Sequence, residues 1–193
     1  MRTATITRAT RETKITCTVN LDGTGESRIA TGIGFLDHML TALSKHSGID
    51  IDLACTGDLH IDDHHTAEDC ALTLGQALDQ ALASRLGITR FASAYAPLDE
   101  SLARAVLDLS GRPLAIVNLM LLRDSIGTLA AENVPHFFRS LATTLRATLH
   151  LDILRGENDH HKAEAAFKAL ALALKQAVAR TASTDVPSTK GSL

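Results

Sequence analysis

Tryptophan is absent from the 193 residues, and all aromatics together make up 3%. A base-stacking surface is thereby excluded, since successive nucleotides each need a ring to rest on. No charge of one sign dominates: 19 Lys and Arg stand against 22 Asp and Glu, for a formal net charge of -3. Broad nucleic-acid binding needs a basic footprint that this balance does not supply, although a small local anion site stays open. Cysteine is scarce and odd in number. Cys17, Cys55 and Cys70 form no CxxC pair and read as reduced thiols of a cytoplasmic protein. Apolar runs are short and broken by charge, so no segment predicts a membrane span, and Met1 to Arg11 lacks the apolar stretch of a secretory signal. With 45% of residues in the hydrophobic set, the chain reads as one large domain or two small ones packed as a unit. A chain of this length buries roughly 70% of its unfolded surface, enough for a core without staples.

What the chain does have is nine histidines, and their positions repeat. Asp63-His64-His65-Thr66-Ala67-Glu68 returns as Asp159-His160-His161-Lys162-Ala163-Glu164, at an offset of 96 residues. At the same offset Leu74 meets Leu170, Ala77 meets Ala173, Leu78 meets Leu174 and Gln80 meets Gln176. Register kept over a helix length is the mark of an internal duplication. Upstream, His38 precedes His64 by 26 residues and His136 precedes His160 by 24. Glu12 with Gly23 meets Glu100 with Gly111 at an offset of 88. Offsets drift because loops change length more freely than the elements they join. The chain therefore divides into half-domain repeats at 1–88 and 89–180, followed by a polar tail at 181–193 expected to be irregular.

Periodicity predicts two helices in each half. Residues 64–84 carry Ala67, Cys70, Ala71, Leu74, Ala77, Leu78 and Ala81 on one stripe, with Asp62 or Asp63 as N-cap. Residues 160–180 repeat this stripe. Shorter helices are predicted at 36–46, stopped near Gly48, and at 134–145, with Pro135 tolerated in the first turn. Alternation marks strands through Ile15–Leu21, Ile49–Leu53 and Leu149–Ile153, and a further strand pair at 101–109 and 113–122 around Ser110-Gly111-Arg112-Pro113. Each half is a mixed sheet with two helices, and two such halves make an α+β fold with the helices packed between the sheets.

The histidine spacing suits a metal. His64 and Glu68 lie four apart on one helical face, and His65 lies one step round. Glu68 serves one ion jointly with one of the two histidines, so the other points at a different centre. A lone His-His pair at a helix start is ordinarily a cap or a surface feature. Recurrence of the same ligand types at the same helical phase in both halves changes that reading. With His38 and His136 the chain offers six His and two Glu, enough for two centres of three His and one Glu each. Imidazole with carboxylate, and no thiolate, suits Mn, Fe, Co, Ni or Zn rather than Ca. His60 and His150 fall on apparent strands outside the pattern and read as structural. His46, near a helix end, reads as a dipole partner when taken alone. Arg90, Arg112 and the tail Ser188-Thr189-Lys190-Gly191 are ordinary surface groups when taken singly.

Together these residues resemble a known family. Gly34-Phe35-Leu36-Asp37-His38-Met39-Leu40, Asp58, the first His-His-Thr-Ala-Glu-Asp, Leu74-Gly75-Gln76-Ala77-Leu78, Asp108-Leu109-Ser110-Gly111-Arg112-Pro113 and His136-Phe137-Phe138 are similar to the imidazoleglycerol-phosphate dehydratases. So are the second His-His-Lys-Ala-Glu and Pro187-Ser188-Thr189-Lys190-Gly191. The likeness covers nearly the whole chain and looks like the monofunctional form. It implies the sixth step of L-histidine biosynthesis, dehydration of D-erythro-imidazole glycerol phosphate to imidazole acetol phosphate, with two Mn²⁺ per active site. It also implies a homo-oligomer of 24 chains whose sites are shared between subunits. Carried over by position, the metal ligands are His38, His64, His65, Glu68, His136, His160, His161 and Glu164. Substrate contacts are Glu12, His46, Arg90, Arg112, Ser188, Thr189 and Lys190.

The reaction gives these residues a reason. The proton lost is not next to a carbonyl, so a base alone is a poor catalyst. If both ring nitrogens are metal-bound, the imidazole carries charge as an imidazolate and expels hydroxide through a diazafulvene-like intermediate, which acidifies the neighbouring C–H. Two nitrogens need two metals, and the duplicated motif offers two. Glu12 is the carboxylate not committed to a metal and so the expected acid/base, with Glu164 as the alternative. A dinuclear phosphoester hydrolase is the rival enzyme, but it would bridge its metals with an Asp motif that is missing. A metal-storage module would have no need of Glu12, Arg112 or Lys190.

Overall fold

The computed structural model describes residues 1–191. The first half runs β1 (Thr3–Ala9), β2 (Thr13–Asn20), β3 (Ser27–Ala30), α1 (Gly34–Ser47), β4 (Asp50–Gly57) and α2 (His64–Leu82). The second runs β5 (Phe91–Leu98), β6 (Ser101–Asp108), β7 (Leu114–Asn118), the two-residue strands β8 (Ser125–Ile126) and β9 (Leu129–Ala130), α3 (Asn133–Leu145), β10 (Thr148–Arg155) and α4 (Asp159–Ala177). Each half builds the same four-stranded sheet, in the orders β1-β2-β4-β3 and β5-β6-β10-β7. In each, one edge pair is parallel (β3 with β4, β7 with β10) and the other pairs are antiparallel. The duplication read from the histidines is thus a duplication of topology, and the fold is α+β.

The helices fill the space between the sheets. In the first half α2 lies on β1 and β2; in the second α4 lies on β5 and β6. Contact between the halves is crosswise, α1 against α4 and α2 against α3. Phe137, Phe138 and Phe167 meet at the centre with ring centroids 4.5–5.8 Å apart, and all three are fully buried. At Gly75 α3 packs tightly on α2: a Cβ there would stand 2.5 Å from the Leu141 carbonyl oxygen.

Local chemistry sets the helix ends. α1 stops at Gly48, whose φ of +76° suits a residue without Cβ and whose N–H reaches Ser44 O at 3.0 Å. At α4 the Asn158 side chain accepts from the N–H groups of His160 and His161. The cap of α2 is split: Asp62 accepts from His64 N at 2.9 Å, while Asp63 turns away to accept from Ala130 N at 2.6 Å.

Two expectations need correction. The strand pair at 101–109 and 113–122 is not a pair: β10 lies between β6 and β7, because the Ser110–Pro113 turn carries the chain across the sheet rather than back along it. His60 lies in an exposed turn, not on a strand; the strand ends at Gly57. His150 does lie on β10, with its side chain on the exposed face.

The largest difference between the halves is one connection. Three residues join β3 to α1, whereas 119–132 join β7 to α3 and carry β8 and β9. Asp159 accepts from Leu122 N and Arg123 N at 2.7 Å, and Lys162 Nζ donates to Met120 O and to Asp159 at 2.9 Å. With Asp63 on Ala130, this segment is fastened to the starts of both long helices. The tail is irregular but not detached. Arg180 bridges Ile88, and Gly87 N donates to Asp185 O at 3.0 Å. Its last two positions, 192 and 193, lie outside the described residues. Among the described residues no helix is long and apolar enough to cross a membrane.

Candidate metal centre and active site

Crosswise packing of the helices determines which histidines meet. α2 starts at His64, so His64 and Glu68 project from its first turns toward α3, which presents His136. Glu68 lies 3.7 Å from His64 Nε2 and 3.5 Å from His136 Nε2, and the two imidazoles stack with centroids 4.8 Å apart. On the other side α4 presents His160 and Glu164 to α1. There Glu164 Oε2 lies 3.1 Å from His38 Nε2 and 3.3 Å from His160 Nε2. In each set the three donor atoms lie within 4.8 Å of one another. Each set takes one histidine from the short helix of one half and a His···Glu pair from the long helix of the other.

The donor chemistry fits a divalent transition ion. Among the described residues His136 Nε2 is buried with no hydrogen-bond partner, an expensive orphan unless a ligand takes its lone pair. The ring of His64 is turned by Asn133, whose Oδ1 lies 2.9 Å from Nδ1 and leaves Nε2 toward the set. Such outer partners fix which nitrogen coordinates. Glu164 is held ionised: burial pushes its carboxyl up, but Lys168 at 2.7 Å and His38 outweigh this and bring it below the usual range.

His65 and His161 join neither set. His65 Nδ1 lies 3.0 Å from Asp58, and its Nε2 stands 3.7 Å from Glu12. His161 Nδ1 lies 2.7 Å from Glu100, with Asp99 3.8 Å from its Nε2. Hydrogen bonds to Asp58 and Glu100 raise the two imidazoles above their ordinary values. Glu100 is driven far below the carboxylate range by the Asn158 N–H first, then by His161. The second histidine of each motif therefore points away from the set with its ring fixed, since adjacent helical residues lie about 100° apart around the axis.

The predicted anion groups gather elsewhere. Arg90, Arg112, Ser188, Thr189 and Lys190 line one open cleft of about 600 Å³, together with Phe91 and Pro187. Arg90 is not the surface group that its isolated reading suggests. It is 8% exposed and tied to Asp108 at 2.7 Å and to Pro187 O at 2.6 Å, because the end of α4 and the tail fold over it. His46 is exposed on the last turn of α1. Partial desolvation of its ring lowers its pKa, and nearby Lys168 adds to this.

Several site residues escape the sequence reading. Asn133, Lys168 and the orienting roles of Asp58 and Asp108 had no repeat to mark them, and the repeat that pairs Glu100 with Glu12 says nothing of its bond to His161. The i,i+4 spacing of Glu164 and Lys168 was the one available signal.

Residues 31–174 match the family model described as imidazoleglycerol-phosphate dehydratase. The chain is 56% identical over 198 residues to imidazoleglycerol-phosphate dehydratase of Phaffia rhodozyma, covering all of this chain and 97% of that protein. It is 58% identical over 193 residues to the enzyme of the same name from Phytophthora nicotianae, of which it spans 43%. Its structure is similar to the crystal structure of imidazoleglycerol-phosphate dehydratase from Staphylococcus aureus, with a TM-score of 0.84 and 37% identity over 93% of this chain and 99% of that one.

Proposed function

The chain belongs to the imidazoleglycerol-phosphate dehydratase family, and from that premise we propose how its own residues carry the reaction. As a member it is a hydro-lyase that dehydrates imidazoleglycerol phosphate in histidine biosynthesis. The observation that supports the finer reading is the pair of His-His-Glu sets, one with an orphaned histidine nitrogen. His64, Glu68 and His136 would hold one Mn²⁺, and His38, His160 and Glu164 the other. When bound, two such ions would supply Lewis acidity to the substrate imidazole.

The protein's part is binding, orientation and proton movement. Asp58, Asn133 and Glu100 fix three of the rings. Arg112, Lys190, Ser188 and Thr189, with the free N–H groups of Arg90, hold the phosphate, and His46 contributes a further contact. Glu12 is the acid/base. Its repeat partner Glu100 is engaged by His161 and two backbone N–H groups, whereas Glu12 has no such commitment and stands beside His65. Its carboxylate takes the proton from the carbon next to the departing hydroxyl, and the resulting enol tautomerises to the ketone. Glu164, paired with Lys168, is the less available base.

Among the described residues the Nε2 atoms of His65 and His161 make no hydrogen bond, as suits ligands to sets on neighbouring subunits of a 24-chain assembly in the cytoplasm. The experiment is an assay of water loss from imidazoleglycerol phosphate with and without Mn²⁺. Turnover that depends on Mn²⁺ supports the reading; full activity in metal-free protein overturns it.

A further inference from the structure

Asp108, at the end of β6, stands where two cations of the cleft converge. Its carboxylate takes Arg90 in a bidentate grip, Nε to Oδ1 at 2.7 Å and Nη2 to Oδ2 at 3.2 Å. Arg112 Nη2 lies 3.8 Å from the same Oδ2. The two arginines differ in what is left to them. Arg112 has 65% of its side chain exposed and its fork almost entirely free; Arg90 has 9%. Arg90 spends one N–H on Nε, one on Nη2 and one on Nη1, the last donated to Pro187 O at 2.6 Å. A guanidinium carries five N–H groups, so one remains on each Nη.

The backbone explains why Arg90 needs this partner. Its φ is +71°, uncommon without glycine. Its N–H donates to Ala177 O at 2.9 Å, and its carbonyl accepts from Leu109 N at 3.2 Å. The main chain is thereby fixed between the end of α4 and the end of β6, and the side chain lies over Phe91, 4.3 Å from the ring centroid. Asp108, with two hydrogen bonds to the fork against one from Pro187 O, is its main restraint against rotation among the described residues. Arg90, Arg112 and Lys190 would otherwise repel one another around a vacant cleft, and one shared carboxylate offsets part of that repulsion.

We propose that Asp108 is the positioning residue of the anion cleft. It orients Arg90, steadies Arg112 and, through the Arg90–Pro187 bond, fixes the segment that brings Ser188 and Lys190 to the phosphate. The proposal rests on the reading of this cleft as the phosphate site. A bare staple between sheet and tail would affect stability alone; a positioning residue sets affinity for phosphate without moving the chemical step.

The test is kinetic. Asp108→Asn keeps the shape and removes the charge. KM for imidazoleglycerol phosphate, and the Ki of inorganic phosphate as competitor, should each rise about tenfold or more, with kcat within about threefold. Asp108→Glu, which restores the charge, should recover part of both. Unchanged KM and Ki in folded Asp108→Asn, or a loss confined to kcat, overturns the proposal. If Asp108→Asn does not fold, Arg90→Lys decides, because an ammonium cannot hold both carboxylate oxygens and Pro187 O together. An unchanged phosphate Ki there overturns it equally. Arg112→Ala separates the two levels. If its phosphate Ki is unchanged, the cleft is not the phosphate site. If Ki rises there but not in Asp108→Asn, the cleft stands and Asp108 is only a staple.

Discussion

His161 and Glu100 meet at 2.7 Å through Nδ1, whereas their counterparts His65 and Glu12 stand 3.7 Å apart and face each other through Nε2. The difference lies in the turns. Asp99-Glu100 is a tight two-residue turn, with Asp99 at φ +47°, and it drives Glu100 onto the loop before α4. The β1–β2 turn spans 10–13, organised by Thr10, and leaves Glu12 clear while Asp58 takes over the orienting bond to His65. Equivalent positions thus carry different duties.

That asymmetry predicts opposite outcomes for the same substitution. Glu12→Gln should keep metal content and assembly while kcat falls by about 10²–10⁴. Glu100→Gln should loosen His161 and weaken metal binding, by about 10–100-fold in affinity. Metal analysis beside kinetics checks both; metal loss in Glu12→Gln would make Glu12 structural or a ligand.

His64→Ala and His160→Ala should each empty one set, lower metal content and abolish turnover. Chelated protein should regain activity with Mn²⁺ better than with Mg²⁺, which prefers oxygen ligands. If, as proposed, neighbouring chains supply ligands to the sets, binding is linked to association and light scattering should show a smaller assembly after chelation. A metal-replete, fully active monomer would contradict this.

Asp159 and Lys162 form a pair with only 2% and 3% of their side chains exposed. Burial alone would raise the Asp159 carboxyl, but Lys162 and the N–H groups of Arg123 and Leu122 outweigh it and hold it below its ordinary 3.8. The pair's contribution is therefore fully present above pH 3.8 and is lost as pH falls through the lower folded value. Asp159→Ala should cost about 3–5 kcal/mol near neutrality, because Lys162 is left buried and unpaired. Denaturant midpoints against pH should show the gap from wild type closing in acid.

Gly75→Ala sets two effects against each other. Alanine in a helix interior gains about 1 kcal/mol over glycine. The new Cβ would meet the Leu141 carbonyl and the Leu145 N–H, backbone atoms that cannot step aside. Overpacking costs about 1–3 kcal/mol, so the net effect should be destabilising. Since α2 and α3 bring His64 to His136, metal affinity should fall with Tm. A raised Tm would show that the contact yields.

Removing the chain from Ser188 onward should raise KM by at least about tenfold while fold and metal content persist, since each charge-assisted contact is worth about 1.5–3 kcal/mol. Pro187, retained in this truncation, keeps its bond to Arg90. Added salt should narrow the difference from full-length protein.

The four helices were legible because each carries an apolar stripe, and β2, β4 and β10 because they alternate. β1 was not: Ile6 is its one large apolar residue among threonines. β5 inverts the usual signal, burying Ala94 and Ala96 and exposing Phe91 and Tyr95. The insertion of β10 between β6 and β7 is a long-range pairing that no local pattern encodes. In the site, duplication singled out the metal-ligand candidates, and the structure brings six of the eight into two sets. Asn133 and Asp108 act across contacts between elements distant in the chain, so their roles appear only once those elements pack.

Crosswise assembly of the two sets has a bearing on ancestry. One half alone holds a His···Glu pair on its long helix and a single histidine on its short helix, facing apart. Two identical halves related by a two-fold axis would complete both sets at once, each supplying the other's missing histidine. A half-length ancestor would therefore have possessed these sets only as a homodimer. Fusion into one chain removed the requirement that both copies be alike, and Glu12 and Glu100 are where the two have since parted.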